Sequence, residues 1–302
     1  MKSIQSLPYR KLLDSPYARL ARLDRPVGTY LLMWPGLWSI ALASSTNIPD
    51  PALLVKFGVG SLVMRSAGCT INDILDRKFD AKVARTRTRP LASGEITLPR
   101  AMGFLGAQLS IGLGILLTLP EYAIYWGAAS VVPVCLYPLA KRVFDWPQLV
   151  LGLTFNWGAI LGWAAYHSAI DWDVIAPLYI GCASWTLGYD TIYAHQDKID
   201  DKKLGLRSSA LTIGDDATKI FLAGTYTFTT ACIYGAAVKY NSIYGGLNLN
   251  TFSIGTALMA ANLAYQVIAL KLDDPEDLGN KFRINHWIGP ILFSTIILSK
   301  SL

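Results

Sequence analysis

The feature that most constrains this 302-residue chain is a series of apolar runs. Each is about as long as the roughly 20 helical residues needed to cross a hydrocarbon core of ~30 Å. Nine can be drawn, at about 27–45, 52–73, 99–118, 122–140, 148–167, 173–194, 218–239, 250–270 and 285–300. A large soluble helical protein is the alternative, but polar faces would then interrupt most runs. Stretches such as "LGAQLSIGLGILLTL" and "YAIYWGAASVVPVCLYPLA" have no such face. A composition of 52% hydrophobic and 16% charged residues agrees with a bilayer rather than water as the solvent. The expected fold class is all-α: a polytopic membrane bundle of about nine transmembrane helices. It forms a single domain over 1–302, with 1–25 as a basic N-terminal lead-in.

That lead-in holds Lys2, Arg10, Lys11, Arg19, Arg22 and Arg25 but no long apolar stretch, which excludes a cleavable secretory signal. It is compatible with organelle import, and equally with an amphipathic approach to the first span. Of the 27 Lys and Arg residues, 23 precede the first run or fall at 77–100, 141–142, 198–219 and 271–283. The connections near 46–51, 119–121, 168–172 and 240–249 contain none. By the positive-inside rule the N-terminus and the basic loops face the cytoplasm, or the matrix of a mitochondrion. The net charge of +6 is therefore a topology signal, and nucleic-acid binding is not needed to explain it. Cys69, Cys135, Cys182 and Cys232 lie one each in different runs, without metal or disulfide spacing, and read as small core residues. His167, His195 and His286 are scattered, so a histidine-ligated metal is not expected. His195 reads as a supporting or exposed side chain rather than a proton acceptor.

The two long basic-face loops also hold most of the acids. Asn72, Asp76 and Asp80 recur every four residues and form one stripe on a continuing helix, with Arg65 deeper. Asp197 and Asp201 repeat the spacing, with Tyr193 one turn earlier and Asp190 seven residues before Asp197. Each segment runs from apolar span to acidic ladder, then basic residues, then a Gly- and Ser-containing return, as in a weak duplication offset by about 120 residues. Like charges at i,i+4 repel, and charge near the hydrocarbon boundary is costly. Solvated loops with acids paired to neighbouring Lys and Arg would meet that cost. Magnesium would meet it too, because it takes one or two carboxylates and completes its shell with water and phosphate oxygens. Two such helix ends facing each other would clamp a diphosphate, with Arg77, Lys78, Lys198, Lys202 and Lys203 balancing its charge. Tyr137, Lys141 and Arg142 at the end of the fourth run read as an interfacial anchor or as further phosphate partners.

Taken together, "NDILDRKFD", "RTRPLASGEIT", "YPLAKR" and "DTIYAHQDKIDD" resemble the ordered motifs of the UbiA superfamily of intramembrane prenyltransferases. The opening "RLDRPVGTYLLMWPGLWSIALAS" and the late "DDPEDLGNKF" extend the likeness over almost the whole chain. The branch most similar is the one that prenylates 4-hydroxybenzoate in ubiquinone synthesis. The resemblance implies Mg2+ as cofactor, with Asn72, Asp76 and Asp80 at a first metal and Asp197 and Asp201 at a second. It implies diphosphate contacts from Arg77, Lys141 and Arg142 with Tyr137 nearby, a polar approach through Asp190 and Tyr193, and Arg25 as the candidate for the aromatic carboxylate. The implied partners are a polyprenyl diphosphate, 4-hydroxybenzoate, the bilayer and other enzymes of ubiquinone synthesis. The implied place is the mitochondrial inner membrane with the active face toward the matrix, or a bacterial inner membrane. Two other readings remain at this point: a prenyltransferase with another aromatic acceptor, and a transporter of a phosphorylated or dicarboxylate solute.

Overall fold

The computed structural model describes residues 13–83 and 86–301, with the side chains of residues 138, 139, 141, 142 and 204 outside that description. Every regular element among the described residues is helical. In chain order these are α1 (Pro16–Leu20), α2 (Val27–Ala43), α3 (Pro51–Asp80), α4 (Leu98–Leu116), α5 (Glu121–Ala129), α6 (Val131–Val143) and α7 (Pro147–Phe155). There follow α8 (Gly158–His167), α9 (Trp172–Ala194), α10 (Lys198–Leu204), α11 (Ser209–Tyr244), α12 (Leu249–Ile268) and α13 (Pro275–Ile284). A 3-10 turn at Asn285–Trp287 leads into α14 (Ile288–Ser301).

Each of the nine apolar runs is occupied by helix, and the fourth and fifth hold two helices apiece. The breaks have local causes. Ser130 Oγ donates to Gly127 O at 2.6 Å between α5 and α6, and Asn156 Nδ2 donates to Gly152 O at 2.7 Å between α7 and α8. Such side chains compete with the helical ladder for backbone partners. Pro51–Asp80, Pro147–His167, Ser209–Tyr244 and Leu249–Ile268 are each long and apolar enough to cross a membrane. Their outward apolar side chains, among them Ile220, Ile254, Leu258 and Ile268, are exposed, as a lipid-facing surface requires. Cys135 is also exposed, whereas Cys69 and Cys182 are buried and Cys232 is half-buried. The expectation of small core residues thus holds for two of the four, because Cys135 sits on the outward face of α6.

The contacts fall into two compact units. The first comprises residues up to 30 and 58–118. Its core gathers Leu20, Leu91, Ile96 and Ala101, with Ile74 and Phe104 packed against them. Tyr17 meets Phe104 edge-on at 5.2 Å. Between α3 and α4, Gly112 gives room to the Met64 side chain: an added Cβ would come within 2.6 Å of its sulfur, which would have to shift.

The second unit comprises residues 31–57 and 119–302. Here α9 packs on α7 and α11, α11 on α12, and α12 on α14. Gly158 and Gly162, one turn apart on α8, let that helix approach the backbone of α2 at Gly36; a Cβ on Gly162 would stand 2.7 Å from Gly36 O. Small residues spaced four apart are the usual means of close helix contact in lipid, where apolar burial offers no drive. Polar ties supplement the packing. Trp38 Nε1 donates to Gly289 O at 2.9 Å, Trp185 Nε1 donates to Asn285 Oδ1 at 2.8 Å, and Asn285 Nδ2 donates to Gln266 Oε1 at 3.0 Å. Bonds of this kind in membrane proteins average about 0.6 kcal/mol each, so they fix the helix register more than they add stability.

Candidate active-site segments

The first acidic segment is the last two turns of α3 and the loop after it. The helix runs unbroken through Asp80, and its polar residues differ in burial. Asn72 and Asp76, four apart, are half-buried, while Asp73 and Asp80, seven apart, are buried. The buried pair is met by arginines. Arg22 Nη2 donates to both Asp73 oxygens at 2.7 and 3.0 Å, and Arg89 Nη1 reaches Asp80 Oδ2 at 2.8 Å and Asp73 Oδ1 at 3.3 Å. Local structure brings Arg89 back to the helix. The Thr86 hydroxyl donates to Asp80 O at 3.0 Å, closing the C-terminus of α3, and Arg89 N donates to Thr86 O at 2.9 Å. Burial opposes the Arg22 charge, but the Asp73 carboxylate beside it outweighs that cost and leaves its pKa raised. Farther out, Arg19 pairs with Glu95 of the same loop.

Among the other residues expected here, Arg77 is half-buried and donates to Ile74 O of its own helix at 3.0 Å. Lys78 is exposed. Arg25 is largely exposed and meets Asp24 at 3.5 Å. Asp73, Arg22 and Arg89 were not singled out by the four-residue ladder. The signal that finds two of the acids is the seven-residue interval from Asp73 to Asp80, two helical turns on one face.

The second segment has a different build. The chain leaves α9 at Ala194, turns through 195–197, and restarts as α10, so Asp190 and Asp197 do not share one helix. Asp197 and Asp201 do stand one turn apart: Asp197 occupies the N-cap position of α10 without a capping side-chain bond, and Asp201 N donates to Asp197 O at 2.8 Å. Both are half-buried. Carboxylates in this first turn are favoured by the partial positive charge of the helix N-terminus. Gly205, at φ 67°, ends α10 in a left-handed conformation that glycine adopts without strain.

His195 is buried in the turn, with Nε2 3.1 Å from Thr218 Oγ1 and Nδ1 3.4 Å from Asp215 Oδ1. Burial, with a smaller contribution from Lys198 and against the pull of Asp215, lowers its pKa to about 4. It is neutral at pH 7 and supports the turn. Lys198, expected near phosphate, pairs with the exposed Asp215 at 2.6 Å, while Lys202 and Lys203 are exposed. The Tyr193 ring packs on Phe282 at 4.8 Å, and Phe282 also meets Tyr189 at 5.7 Å. Phe282 belongs to α13, the late "DDPEDLGNKF" element. Asp274 caps that helix, accepting from Glu276 N and Asp277 N, and Asp277 pairs with Lys281 at 2.8 Å. Tyr137 lies half-buried on α6; the side chains of Lys141 and Arg142 lie outside the described residues.

Among the described residues, no three His, Cys, Asp or Glu side chains converge on one point able to hold a metal alone. Magnesium does not need three, since phosphate and water oxygens complete its octahedron. Asn72 with Asp76, and Asp197 with Asp201, each offer hard oxygen donors one turn apart and open to solvent. Both donor sets fit that ion.

Residues 32–289 match the model of the UbiA prenyltransferase family. This chain belongs to the UbiA prenyltransferase family. Among curated proteins, it is 50% identical to the mitochondrial 4-hydroxybenzoate polyprenyltransferase of Bos taurus, over 94% of this chain and 75% of that protein. It is 49% identical to the mitochondrial 4-hydroxybenzoate polyprenyltransferase of Aedes aegypti, over 96% of this chain but 64% of that longer protein. A solved UbiA homolog from Archaeoglobus fulgidus, bound to GPP and Mg2+, shares the fold with a TM-score of 0.67 at 17% identity, covering 95% of this chain and all of that one. The all-helical membrane bundle expected from the apolar runs is thus the UbiA fold.

Proposed function

We propose that this chain transfers a polyprenyl group from an allylic polyprenyl diphosphate to the ring carbon ortho to the hydroxyl of 4-hydroxybenzoate. The observation that carries the reading is identity near 50%, spread over more than nine-tenths of the chain, to relatives named for that activity. The allylic C–O bond breaks, a ring C–C bond forms, and diphosphate and the ring proton depart. The same likeness supports residence in the mitochondrial inner membrane. The basic-loop count supports an active face toward the matrix and nine crossings. The family match, which runs across both units, supports one domain over 1–302.

In this reading Asn72, Asp76 and Asp80 hold one magnesium, with Asp80 exchanging its bond to Arg89 for the ion, and Asp197 and Asp201 hold another. Bound magnesium supplies Lewis-acid stabilisation of the charge that develops on the diphosphate. Arg77, Lys141, Arg142 and Lys198 are the cationic partners of that diphosphate, with Tyr137 beside them. Arg77 and Lys198 must first leave Ile74 O and Asp215. Arg25, weakly held by Asp24, takes the carboxylate of 4-hydroxybenzoate. Tyr193, fixed against Phe282, lines the approach to the second acidic pair. The apolar helices keep water from the allylic cation and let the polyprenyl tail remain in lipid.

The test is an incubation of membranes containing the protein with magnesium, 4-hydroxybenzoate and polyprenyl diphosphates, followed by detection of prenylated product. Product is expected with 4-hydroxybenzoate. Product only with another phenol would reassign the acceptor, and diphosphate-independent solute flux with no product would overturn the enzyme reading.

A further inference from the structure

The second unit holds a cavity that the proposed reaction leaves unused. Its volume is about 490 Å3, within the range of small-ligand clefts, and Trp163, His167, Asp171, Trp172, Asp173 and Tyr244 line it. It lies where α8 and α11 end and α9 begins, whereas the second acidic segment follows the far end of α9. The 23 residues of α9 set about 35 Å of helix between the two. Four of the six lining residues carry rings. Trp163 is 1% exposed and lies deepest, with His167 at 4.8 Å and Tyr244 at 5.9 Å between ring centroids. The His167 and Tyr244 rings stand 6.2 Å apart and 16° from parallel. The charge here is of one sign. The connections 168–172 and 240–249 contain no Lys or Arg, and the C-termini of α8 and α11 add partial negative charge to that of Asp171 and Asp173. The N-terminus of α9 is answered by Asp171, whose Oδ1 accepts from Asp173 N at 3.1 Å and whose Oδ2 accepts from Tyr244 OH at 2.9 Å. The neighbouring cation, Lys300, is satisfied within the protein: Nζ donates to Leu42 O at 2.6 Å and Ser44 O at 2.5 Å and sits 4.7 Å from the Tyr240 ring. Tyr240 in turn meets Tyr244 at 5.2 Å, so this aromatic cluster already receives one ammonium group.

We infer that this cavity binds the quaternary ammonium head of a choline phospholipid, in the leaflet away from the acidic segments. A ring face attracts a cation through its quadrupole, and cages of Trp and Tyr suit an ammonium that carries methyl groups in place of N–H. A metal ion fits poorly, because rings offer no hard oxygen and both Asp171 oxygens are engaged. A primary ammonium needs acceptors for three N–H groups. A quaternary one needs aromatic surface and nearby negative charge, which are what the cavity supplies. The place favours a lipid as the source. Helix ends of apolar runs lie at headgroup level, and the exposed Ile180 on α9 and Ile243 on α11 leave apolar surface for acyl chains. A plain interfacial belt would turn its aromatic rings outward one by one. Here Trp163 is buried and the Tyr244 hydroxyl is turned to Asp171. The inference does not depend on the proposed reaction.

The test uses the full chain in detergent, with native mass spectrometry counting the lipid retained from an equal mixture. The mixture holds phosphatidylcholine, phosphatidylglycerol and a neutral phosphatidylcholine analogue in which carbon replaces the choline nitrogen. The parent should retain phosphatidylcholine in preference to either of the others by at least about fivefold. Asp173→Asn and Trp172→Ala should each reduce that preference to about twofold or less, with prenyl transfer at the parent's level. Asp173 is exposed, so Asp173→Asn should also keep the parent's Tm measured without lipid. Equal retention of phosphatidylcholine and its neutral analogue, or an unchanged preference in folded Asp173→Asn and Trp172→Ala, would overturn the inference. Stabilisation by choline chloride with no preference among the lipids would overturn it too, by assigning the cavity to a free amine.

Discussion

The two acidic segments look alike in sequence and are built differently. In the first, one unbroken helix carries Asn72, Asp76 and Asp80 on one stripe with Asp73 beside it, and arginines from elsewhere in the unit take the two buried acids, Asp73 and Asp80. In the second, a turn at 195–197 separates Asp190 from Asp197, and the acids of α10 stand at a helix N-terminus rather than in an ion cluster. Half-buried guanidinium groups on buried carboxylates hold the first segment. A neutral, buried His195 and the exposed pair of Lys198 with Asp215 hold the second. The difference teaches that matched spacing of acids does not predict matched support.

The largest effect that would break this comparison is catalytic. Asp76→Asn and Asp197→Asn should each reduce prenyl transfer by at least about a hundredfold, with the protein still inserted and folded, since each removes a carboxylate proposed to hold magnesium against the diphosphate. Rates measured on membranes with equal amounts of inserted protein check this. Chelation of divalent ions should abolish transfer in the parent and magnesium should restore it, whereas transfer that persists in excess chelator would remove the shared donor chemistry altogether.

Stability should separate the segments next. Asp73→Asn leaves the half-buried Arg22 and Arg89 facing a neutral amide, a loss of about 1–3 kcal/mol that thermal unfolding would report. In the second segment the titration of His195 matters more. Its folded pKa of about 4 lies below the ordinary value near 6.5, so the unfolded chain binds the proton more readily. The stability that neutral His195 contributes is complete above about pH 6.5 and is lost as pH falls toward 4. His195→Gln should flatten that part of the Tm against pH curve. The smallest effect belongs to Lys198 and Asp215. Asp215 is 64% exposed, so Asp215→Asn should change stability by less than about 1 kcal/mol.

Much of this was legible before any coordinates. Apolar run length fixed where the helices lie, and the small residues of "FNWGAILGWAA" marked a close helix contact that the structure places at Gly158 and Gly162 against Gly36. The motifs identified the family. Three things were not legible. The break after Ala194 has no Pro or Gly to announce it, so the ladder read as one helix. The arginine pairs depend on a loop fold that brings Arg89 back nine residues to Asp80, and on Arg22, which lies 51 residues from Asp73. Asp73 was passed over because a four-residue stripe omits it, although its seven-residue interval to Asp80 carries the same helical information.

The central claim is that Asp76 serves magnesium and diphosphate while its neighbour Asp73 is held by Arg22 and Arg89. One paired measurement tests it most directly: prenyl-transfer rate and metal-free Tm on the same preparations of Asp76→Asn and Asp73→Asn. The account predicts that Asp76→Asn loses transfer with a smaller Tm change than Asp73→Asn, while Asp73→Asn loses Tm and the fraction still folded turns over within about tenfold of the parent. A Tm loss in Asp76→Asn with transfer retained, or an Asp73→Asn protein as stable as the parent and inactive, would contradict it.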